Sequence, residues 1–173
     1  MLWMDRNDAT DGQPVDSAWA EVRDGQRQAL RVSNTAMAVT TDICESALHP
    51  RKKTDLGRRL ALAARGLAYG ERVEYSGPIF RKVEFSAGKA VVWFTHADGG
   101  LAVNGSRLKG FAIAGADRKF FWGTAEIHAD RVSVCSDKVP APRAIRYAWD
   151  DNPDGNLFNK DGLPASCFRT DGW

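Results

Sequence analysis

The sequence has few cysteines and histidines, and this scarcity limits the kinds of site it can form. Cys44, Cys135 and Cys167 are odd in number and far apart, without a Cys-x-x-Cys pair. That pattern argues against a disulfide framework, and we predict three free thiols. No two of the three histidines lie four residues apart, the spacing typical of zinc ligands on one helix. We therefore expect no metal and no other cofactor.

Long apolar runs and charge of one sign are also missing. The chain has no stretch of about 20 apolar residues, so no membrane span is expected. Its start, MLWMDRNDATDGQPVDS, lacks the apolar centre of a signal peptide, which predicts a cytoplasmic protein as expressed. The net charge is only +2 and the basic residues are scattered, whereas a nucleic-acid partner would require a basic face.

Tryptophan, in contrast, is abundant. Six tryptophans in 173 residues mildly favour a carbohydrate ligand, because sugar rings stack on exposed indoles. Aromatic residues alternate along the second half of the chain. We expect the inward ones to form core and the outward ones to offer sugar platforms or to pack against a missing domain. The residues concerned are Trp93, Phe94, Phe120, Phe121 and Trp122.

The first half of the chain has the pattern of helices around one buried strand. Residues 1–15 are polar and read as a flexible lead-in, and Asp16 or Ser17 is a suitable N-cap for the helix that follows. Residues 35–43, TAMAVTTDI, are β-branched and nearly continuous in apolar character, which predicts a strand buried on both faces. Pro50 keeps His49 out of helical geometry and places it on an extended loop.

A helix is predicted from about residue 54 to residue 69, with Gly70 ending it. Its apolar face consists of Leu56, Leu60, Ala63, Ala64 and Leu67, and its arginines, Arg58, Arg59 and Arg65, lie largely off that face. Residues 16–72 therefore form the terminal helix–strand–loop–helix unit of a layered α/β sheet.

From residue 73 onward the periodicity changes to two, which indicates antiparallel strands. RKVEFSAGKAVVWFTH predicts a hairpin about Ala87-Gly88, LKGFAIAGADRKFFWGTAEIHADRVSVCS predicts three strands, and RAIRYAW predicts one more. The closing stretch, 150–173, is rich in turn formers and predicts an ordered loop with one short strand. Residues 73–173 should thus form a β-sandwich or jelly-roll-like module, and the fold class is α+β.

Seven stretches resemble the C-terminal part of the sialate O-acetylesterase family, in the same order as in that family. These are WAEVRDGQRQAL, NTAMAVTTDI, LHPRKKTDLGRRLALAARGLAYGE, YSGPIF, LKGFAIAG, AIRYAW and NLFNKDGLPASCFRTD. The family comprises SGNH hydrolases that remove acetyl groups from carbohydrates such as sialic acids. The resemblance implies that residues 16–72 end a flavodoxin-like α/β/α layer and that the β-module packs against it.

The resemblance also implies a role for His49 as the general base of a Ser-His-Asp or Ser-His unit. In the family the nucleophilic serine lies far upstream, in a Gly-Asp-Ser or Gly-Glu-Ser motif, whereas residues 1–15 contain no serine. Ester hydrolysis by this route requires an activated hydroxyl and oxyanion donors. The serine is therefore expected from a serine-bearing hydrolase domain or a homo-oligomer partner, with an O-acetylated carbohydrate as substrate.

Two carboxylates are candidates to orient His49. The family commonly has an aspartate two or three residues before the histidine, but this chain has Ala47 and Ser46 there. Asp42 and Glu45 are the nearest carboxylates, and either one can stabilise an imidazolium if the loop bends. The alternative is that Asp42 caps the strand end and Glu45 is solvated.

Two other functions remain open from the sequence. One is a non-catalytic β-sandwich that binds a glycan or a protein; the other is a glycosidase-like hydrolase with paired carboxylates from Asp42, Glu45 or the loop 150–161. His96 and His128 are predicted surface histidines at strand ends. The serines near the matched stretches do not lie in a strand–turn–helix elbow; they are Ser33, Ser46 and Ser76.

Overall fold

The computed structural model describes residues 13–43 and 53–173. Its helices are α1 (Ala18–Gln28), continued by a 3-10 turn (Ala29–Arg31), a second 3-10 turn (Thr41–Ile43), and α2 (Thr54–Ala63), which ends in a π-helical turn (Ala64–Ala68). Its strands are β1 (Ile79–Ser86), β2 (Lys89–Thr95), β3 (Leu101–Val103), β4 (Phe111–Ala114), β5 (Phe120–Trp122), β6 (Thr124–His128), β7 (Arg131–Cys135), β8 (Ala144–Tyr147), β9 (Leu157–Asn159) and β10 (Phe168–Arg169). The predicted mixture of helices and antiparallel strands is confirmed.

The strands pair into two four-stranded antiparallel sheets and one two-stranded sheet. The orders are β1-β2-β7-β6, β10-β8-β4-β5 and β3-β9. Alternate residues of the two large sheets point inward and share one apolar core. Val92 and Val132 from the first sheet, and Ile113, Ile145 and Phe168 from the second, are fully buried in it. The predicted β-sandwich character is therefore present.

The hairpin of β1 and β2 forms at the predicted turn. Ser86 pairs with Lys89, so the loop contains only Ala87 and Gly88. Both loop residues have positive φ, 48° and 75°, as a tight turn that follows the right-handed twist of the strands requires. Pairing continues from β2 to β7, which makes β2 a central strand.

Other strand predictions were wrong in number. The region predicted as three strands contains four, because Gly123 separates β5, which contains the aromatic residues, from β6, and these two strands belong to different sheets. A side chain on Gly123 would lie 2.4 Å from Cγ1 of Val134, so the chain passes here with no room for one. The short strand β3 was not predicted, and the closing stretch contains β9 and β10 rather than a single strand.

The strand predicted over residues 35–43 was also wrong. Residues 35–40 form no ladder, and Thr41–Ile43 is a 3-10 turn. Residues 36–41 are only half-buried. A strand that is buried on both faces requires a neighbour on each side, and no described strand pairs with this segment. The composition of residues 35–43 is therefore that of a sheet strand, although no described strand pairs with it.

The two long helices are confirmed, but α2 does not bury the predicted face. Arg59, predicted to lie off the apolar face, is 5% exposed, whereas Leu60 is 52% exposed and Leu67 36%. The helix contacts this chain through Arg59 and Ala63 and leaves most of its apolar stripe in solvent. An exposed stripe of this kind is typical of a surface that another element covers.

The N-cap of α1 and two of the three cysteines can also be compared with the predictions. Ser17, one of the two predicted N-caps, accepts a hydrogen bond from the backbone N–H of Ala20 at 3.0 Å. Cys135 and Cys167 are free thiols as predicted, while Cys44 lies outside the described residues. Burial raises the pKa of the Cys167 thiol. Within the two described ranges, no helix combines the length and apolar character needed to cross a bilayer.

Candidate functional site

The predicted catalytic loop lies between the two described ranges. His49 and Glu45 both fall outside the described residues, so their geometry remains a prediction. Asp42, the other candidate orienter, is described and lies in the 3-10 turn that leads into the loop. On the other side, α2 begins at Thr54. The described part of the site therefore consists of the turn Thr41–Ile43, which precedes the loop, and of α2, which follows it.

Those two elements are joined by an ion pair between Asp42 and Arg59. The guanidinium donates to both carboxylate oxygens, each at 2.6 Å, and Nη1 also donates to the carbonyl of Val39. The Arg59 side chain is 6% exposed and that of Asp42 is 17% exposed. A bidentate ion pair that is this well buried holds the guanidinium and the carboxylate in one relative position. The turn before the loop is consequently fixed to the helix after it.

Replacing Asp42 by asparagine should destabilise this junction by about 2 kcal/mol, because it leaves a buried guanidinium without its counter-charge. Urea unfolding of the 173-residue chain would measure the loss. Asp55→Asn is the matched control, since Asp55 lies in the same region, is half-exposed and approaches Arg58 only at 3.9 Å. The control should change stability by less than about 0.5 kcal/mol. Equal effects from both variants would show that the Asp42 pair does not hold the junction.

The loop 150–161 holds the start of α1 through the carboxylate of Asp151 and two backbone carbonyls. Asp151 accepts a hydrogen bond from the Ser17 hydroxyl at 2.6 Å, and Arg23 donates to the backbone carbonyls of Asp150 and Asp151. Asp154 lies 3.5 Å from Lys109. The carboxylates of Asp151 and Asp154 thus have structural partners, and no observation on the described residues favours a glycosidase pair in this loop.

A buried arginine that the sequence pattern did not single out ties the chain's first helix to the β-module. Arg146 on β8 donates to both oxygens of Asp171, at 3.0 and 2.7 Å, and to Asp16 at 2.6 Å. Its guanidinium also stacks 4.0 Å from the ring centre of Phe120. Burial opposes the charge of Arg146, but the hydrogen bonds to the two aspartates outweigh burial and raise its pKa. The only hint in the sequence was an arginine inside an apolar strand.

His96 is not the surface histidine predicted. Its ring is 24% exposed, and Nδ1 lies 2.7 Å from Oε1 of Glu74. The same oxygen accepts the backbone N–H groups of Tyr75 and Ser76, and the Tyr75 ring meets the imidazole edge-on at 5.1 Å. His96 fits here because it adopts a left-handed backbone, with φ of 56°. His128, in contrast, is exposed as predicted.

Among the described residues, no group of three or more histidines, cysteines or acids has the arrangement of a metal site. Ser76 is buried and donates its hydroxyl to the carbonyl of Gly77, which gives it a structural partner rather than a base. Trp122 is 37% exposed at the edge of a cleft of about 270 Å³, which Asp137 and Lys138 also line. Trp122 is therefore an outward aromatic residue, and its use as a sugar platform or as a surface for a missing domain stays a prediction.

No family model matches the chain. Comparison with known proteins nevertheless identifies relatives. It is 30% identical over 162 residues to the sialate O-acetylesterase of Mus musculus and 29% identical over 158 residues to that of Homo sapiens. The matches include 85% and 84% of this chain. The chain is homologous to part of the sialate O-acetylesterases. It spans only 29% of the mouse protein and 30% of the human protein.

A solved structure agrees with these sialate O-acetylesterase relatives. The chain is 49% identical to a carbohydrate acetylesterase from Xanthomonas citri and superposes on it with a TM-score of 0.88. The superposition covers 91% of this chain and 37% of that protein. The resemblance drawn from the seven sequence stretches is therefore confirmed.

Proposed function

We propose that the chain is the C-terminal portion of a carbohydrate O-acetylesterase and supplies its catalytic base, His49. The observation that carries the proposal is the 49% identity to a carbohydrate acetylesterase over 91% of the chain. In this proposal residues 16–72 complete an SGNH-type α/β/α layer. The nucleophilic serine belongs to a hydrolase segment or subunit outside the 173 residues, or to a second copy that assembles with this one.

The exposed surface of the first half supports such a missing partner. Leu60 and Leu67 on α2 and Val22 on α1 are each at least 36% exposed. The segment 35–40 is apolar and β-branched but unpaired within the described residues. Helices and a strand with unsatisfied apolar faces are what remains when the rest of a layered sheet is removed.

The proposed reaction is acyl transfer in two steps. His49 takes the proton of the serine hydroxyl as its oxygen attacks the acetyl carbon, and then gives that proton to the departing sugar oxygen. Water next loses a proton to His49 and attacks the acetyl-serine, and the serine oxygen leaves with that proton from His49, which releases acetate and restores the serine and the base. Oxyanion donors that stabilise both tetrahedral intermediates would come from the same partner as the serine.

Of the two candidate orienters, Glu45 is the better supported. Both oxygens of Asp42 already accept hydrogen bonds from Arg59, which neutralises the charge that an imidazolium would need. Asp42 then serves to fix the turn before the loop to α2 through Arg59, and Glu45, the other nearby carboxylate in the sequence, is the orienter we propose for His49. Asp42 remains the alternative, because each of its oxygens keeps a second lone pair.

A chimera tests the proposal directly. This chain would replace its counterpart in the Xanthomonas citri acetylesterase, and hydrolysis of p-nitrophenyl acetate and of an O-acetylated sugar would be measured. The chimera should be active, and His49→Ala should lower kcat at least about a hundredfold, as loss of a catalytic base does. His128→Ala, the exposed matched control, should leave kcat unchanged. A folded but silent chimera, or equal rates for both variants, would contradict the proposal.

Glycan binding without catalysis is the second candidate function. The cleft beside the exposed Trp122 favours it, because an indole face flanked by charged side chains suits a sugar ring. The chimera separates the two candidates. A module that only binds would leave the rate independent of His49, whereas a catalytic portion would not.

A further inference from the structure

A groove of about 680 Å³ lies between the end of α1 and the strands β1 and β10. Each of these strands is at the edge of its own sheet, so the groove marks an open side of the sandwich. The groove is rich in guanidinium groups. Its charged lining residues are Arg27, Arg31, Arg81, Arg169, Asp24 and Asp171.

The two acids of the groove are already neutralised. Asp24 is 4% exposed, and its oxygens accept hydrogen bonds from Arg27 at 2.8 Å and from Gln28 at 2.7 Å. Both oxygens of Asp171 are occupied by Arg146, which lies behind the groove, and the Asp171 side chain is 0% exposed. Neither acid therefore has charge left for the other arginines.

The remaining arginines leave the groove positive. Arg31 and Arg81 are exposed, and within residues 13–43 and 53–173 neither has a carboxylate at ion-pair distance. Arg169 is 31% exposed, and among the described carboxylates it approaches Glu21 alone, at 3.8 Å, while its guanidinium lies 5.1 Å from the ring centre of Trp149. Three guanidiniums thus face one groove with little compensation, which makes it attractive to an anion.

Most of the remaining lining is an apolar, partly buried strip, with Gln28 and Thr170 as its polar neighbours. The strip consists of Leu30 from the turn after α1 and Ile79, Phe80 and Val83 from β1. An apolar strip beside cationic groups suits a ligand that has both a C–H face and a negative group. Small-ligand pockets of about 300–1,000 Å³ commonly combine these features.

We propose that this groove binds a carboxylated saccharide, such as a uronic acid unit. The guanidiniums bind the carboxylate through paired hydrogen bonds, and the apolar strip accepts the C–H face of the ring. The anionic part of this inference rests on the groove itself, whereas the choice of a sugar rests on the proposed function.

NMR titration of the 173-residue chain at constant ionic strength tests the inference. Sodium D-glucuronate, D-glucose and sodium acetate would be added in parallel to labelled protein. Glucuronate should shift the amide signals of Leu30, Arg81 and Thr170 and bind at least about tenfold more tightly than glucose or acetate. Arg31→Gln combined with Arg81→Gln should remove that preference.

Arg107→Gln is the control for loss of an arginine outside the groove, because Arg107 is exposed and does not line it. It should leave glucuronate binding unchanged. Acetate binding as tightly as glucuronate would mean an adventitious anion site only, and glucose binding as tightly would mean that the arginines do not recognise the carboxylate. Either result overturns the proposal, as does an equal effect from the control. Binding needs no hydrolysis, so an inactive chimera would refute the acetylesterase function without refuting this groove.

Discussion

Gly77→Ala is expected to destabilise the chain by about 3 kcal/mol or more, a large share of the 5–15 kcal/mol typical of a whole domain. An added Cβ would lie 1.9 Å from the carbonyl oxygen of Pro164 and 2.6 Å from its carbon. Both are backbone atoms, so no side-chain rotation can relieve the overlap. The two segments would have to separate.

That separation would break contacts on both sides of the overlap. The backbone N–H of Ser166 donates to the carbonyl of Pro78 at 3.1 Å, and Asn159 donates to the carbonyl of Ser76 at 2.9 Å. These bonds join the residues just before β1 to the end of β9 and to the segment between β9 and β10. The YSGP and GLPAS stretches therefore form one close backbone contact that only glycine permits.

Thermal unfolding of Gly77→Ala would measure the loss as a fall in Tm of roughly 6–12 °C for a chain of this size. Gly57→Ala is the matched control, because Gly57 lies inside α2 with nothing within 4 Å of an added Cβ. Alanine is about 1 kcal/mol better than glycine in a helix interior, so the control should raise Tm slightly. A Tm for Gly77→Ala at or above that of the unsubstituted chain would refute the close approach.

The sequence predicted those parts of the fold that short-range chemistry determines. The β1–β2 hairpin followed from Ala87-Gly88 between alternating residues, and α1 from the Ser17 cap. Gly123 carried a usable hint, since an isolated glycine within a strand pattern often marks a close backbone approach. The strand-forming residues on both sides of it, Phe120–Trp122 and Thr124–His128, nevertheless predict one continuous strand.

The sequence failed where a residue's environment depends on distant or absent segments. Residues 35–43 have the composition of a buried strand, but the neighbours that would bury it are not among the described residues. Arg59 was predicted to lie off the apolar face, because arginine side chains are mostly exposed. Its burial depends on Asp42, seventeen residues earlier, and no local pattern reveals that pairing. For the same reason the sequence did not reveal that Asp42 is paired with Arg59. That pairing weakens the case for Asp42 as the orienter of His49.

Arg146→Met is expected to cost about 3–5 kcal/mol, because it leaves the carboxylate of Asp171 buried without a counter-charge. The Asp171 side chain is 0% exposed. Among the described residues, its carboxylate accepts two hydrogen bonds, and both come from Arg146. Methionine keeps most of the apolar stem of Arg146 and removes the guanidinium, including its stacking on Phe120, so the loss would be electrostatic rather than steric. Urea unfolding would measure it as a lower midpoint at an unchanged slope.

Two further variants show whether the cost comes from the buried carboxylate. Asp16→Asn removes the other partner of Arg146, but the Asp16 side chain is 90% exposed, so its loss should cost less than about 1 kcal/mol. Arg146→Met combined with Asp171→Asn should recover at least half of the single variant's loss, because no buried charge remains. If the double variant were instead as unstable as the sum of its parts, Arg146 would stabilise the module through packing alone. The pairing with Asp171 would then not be what holds α1, β8 and the final segment together.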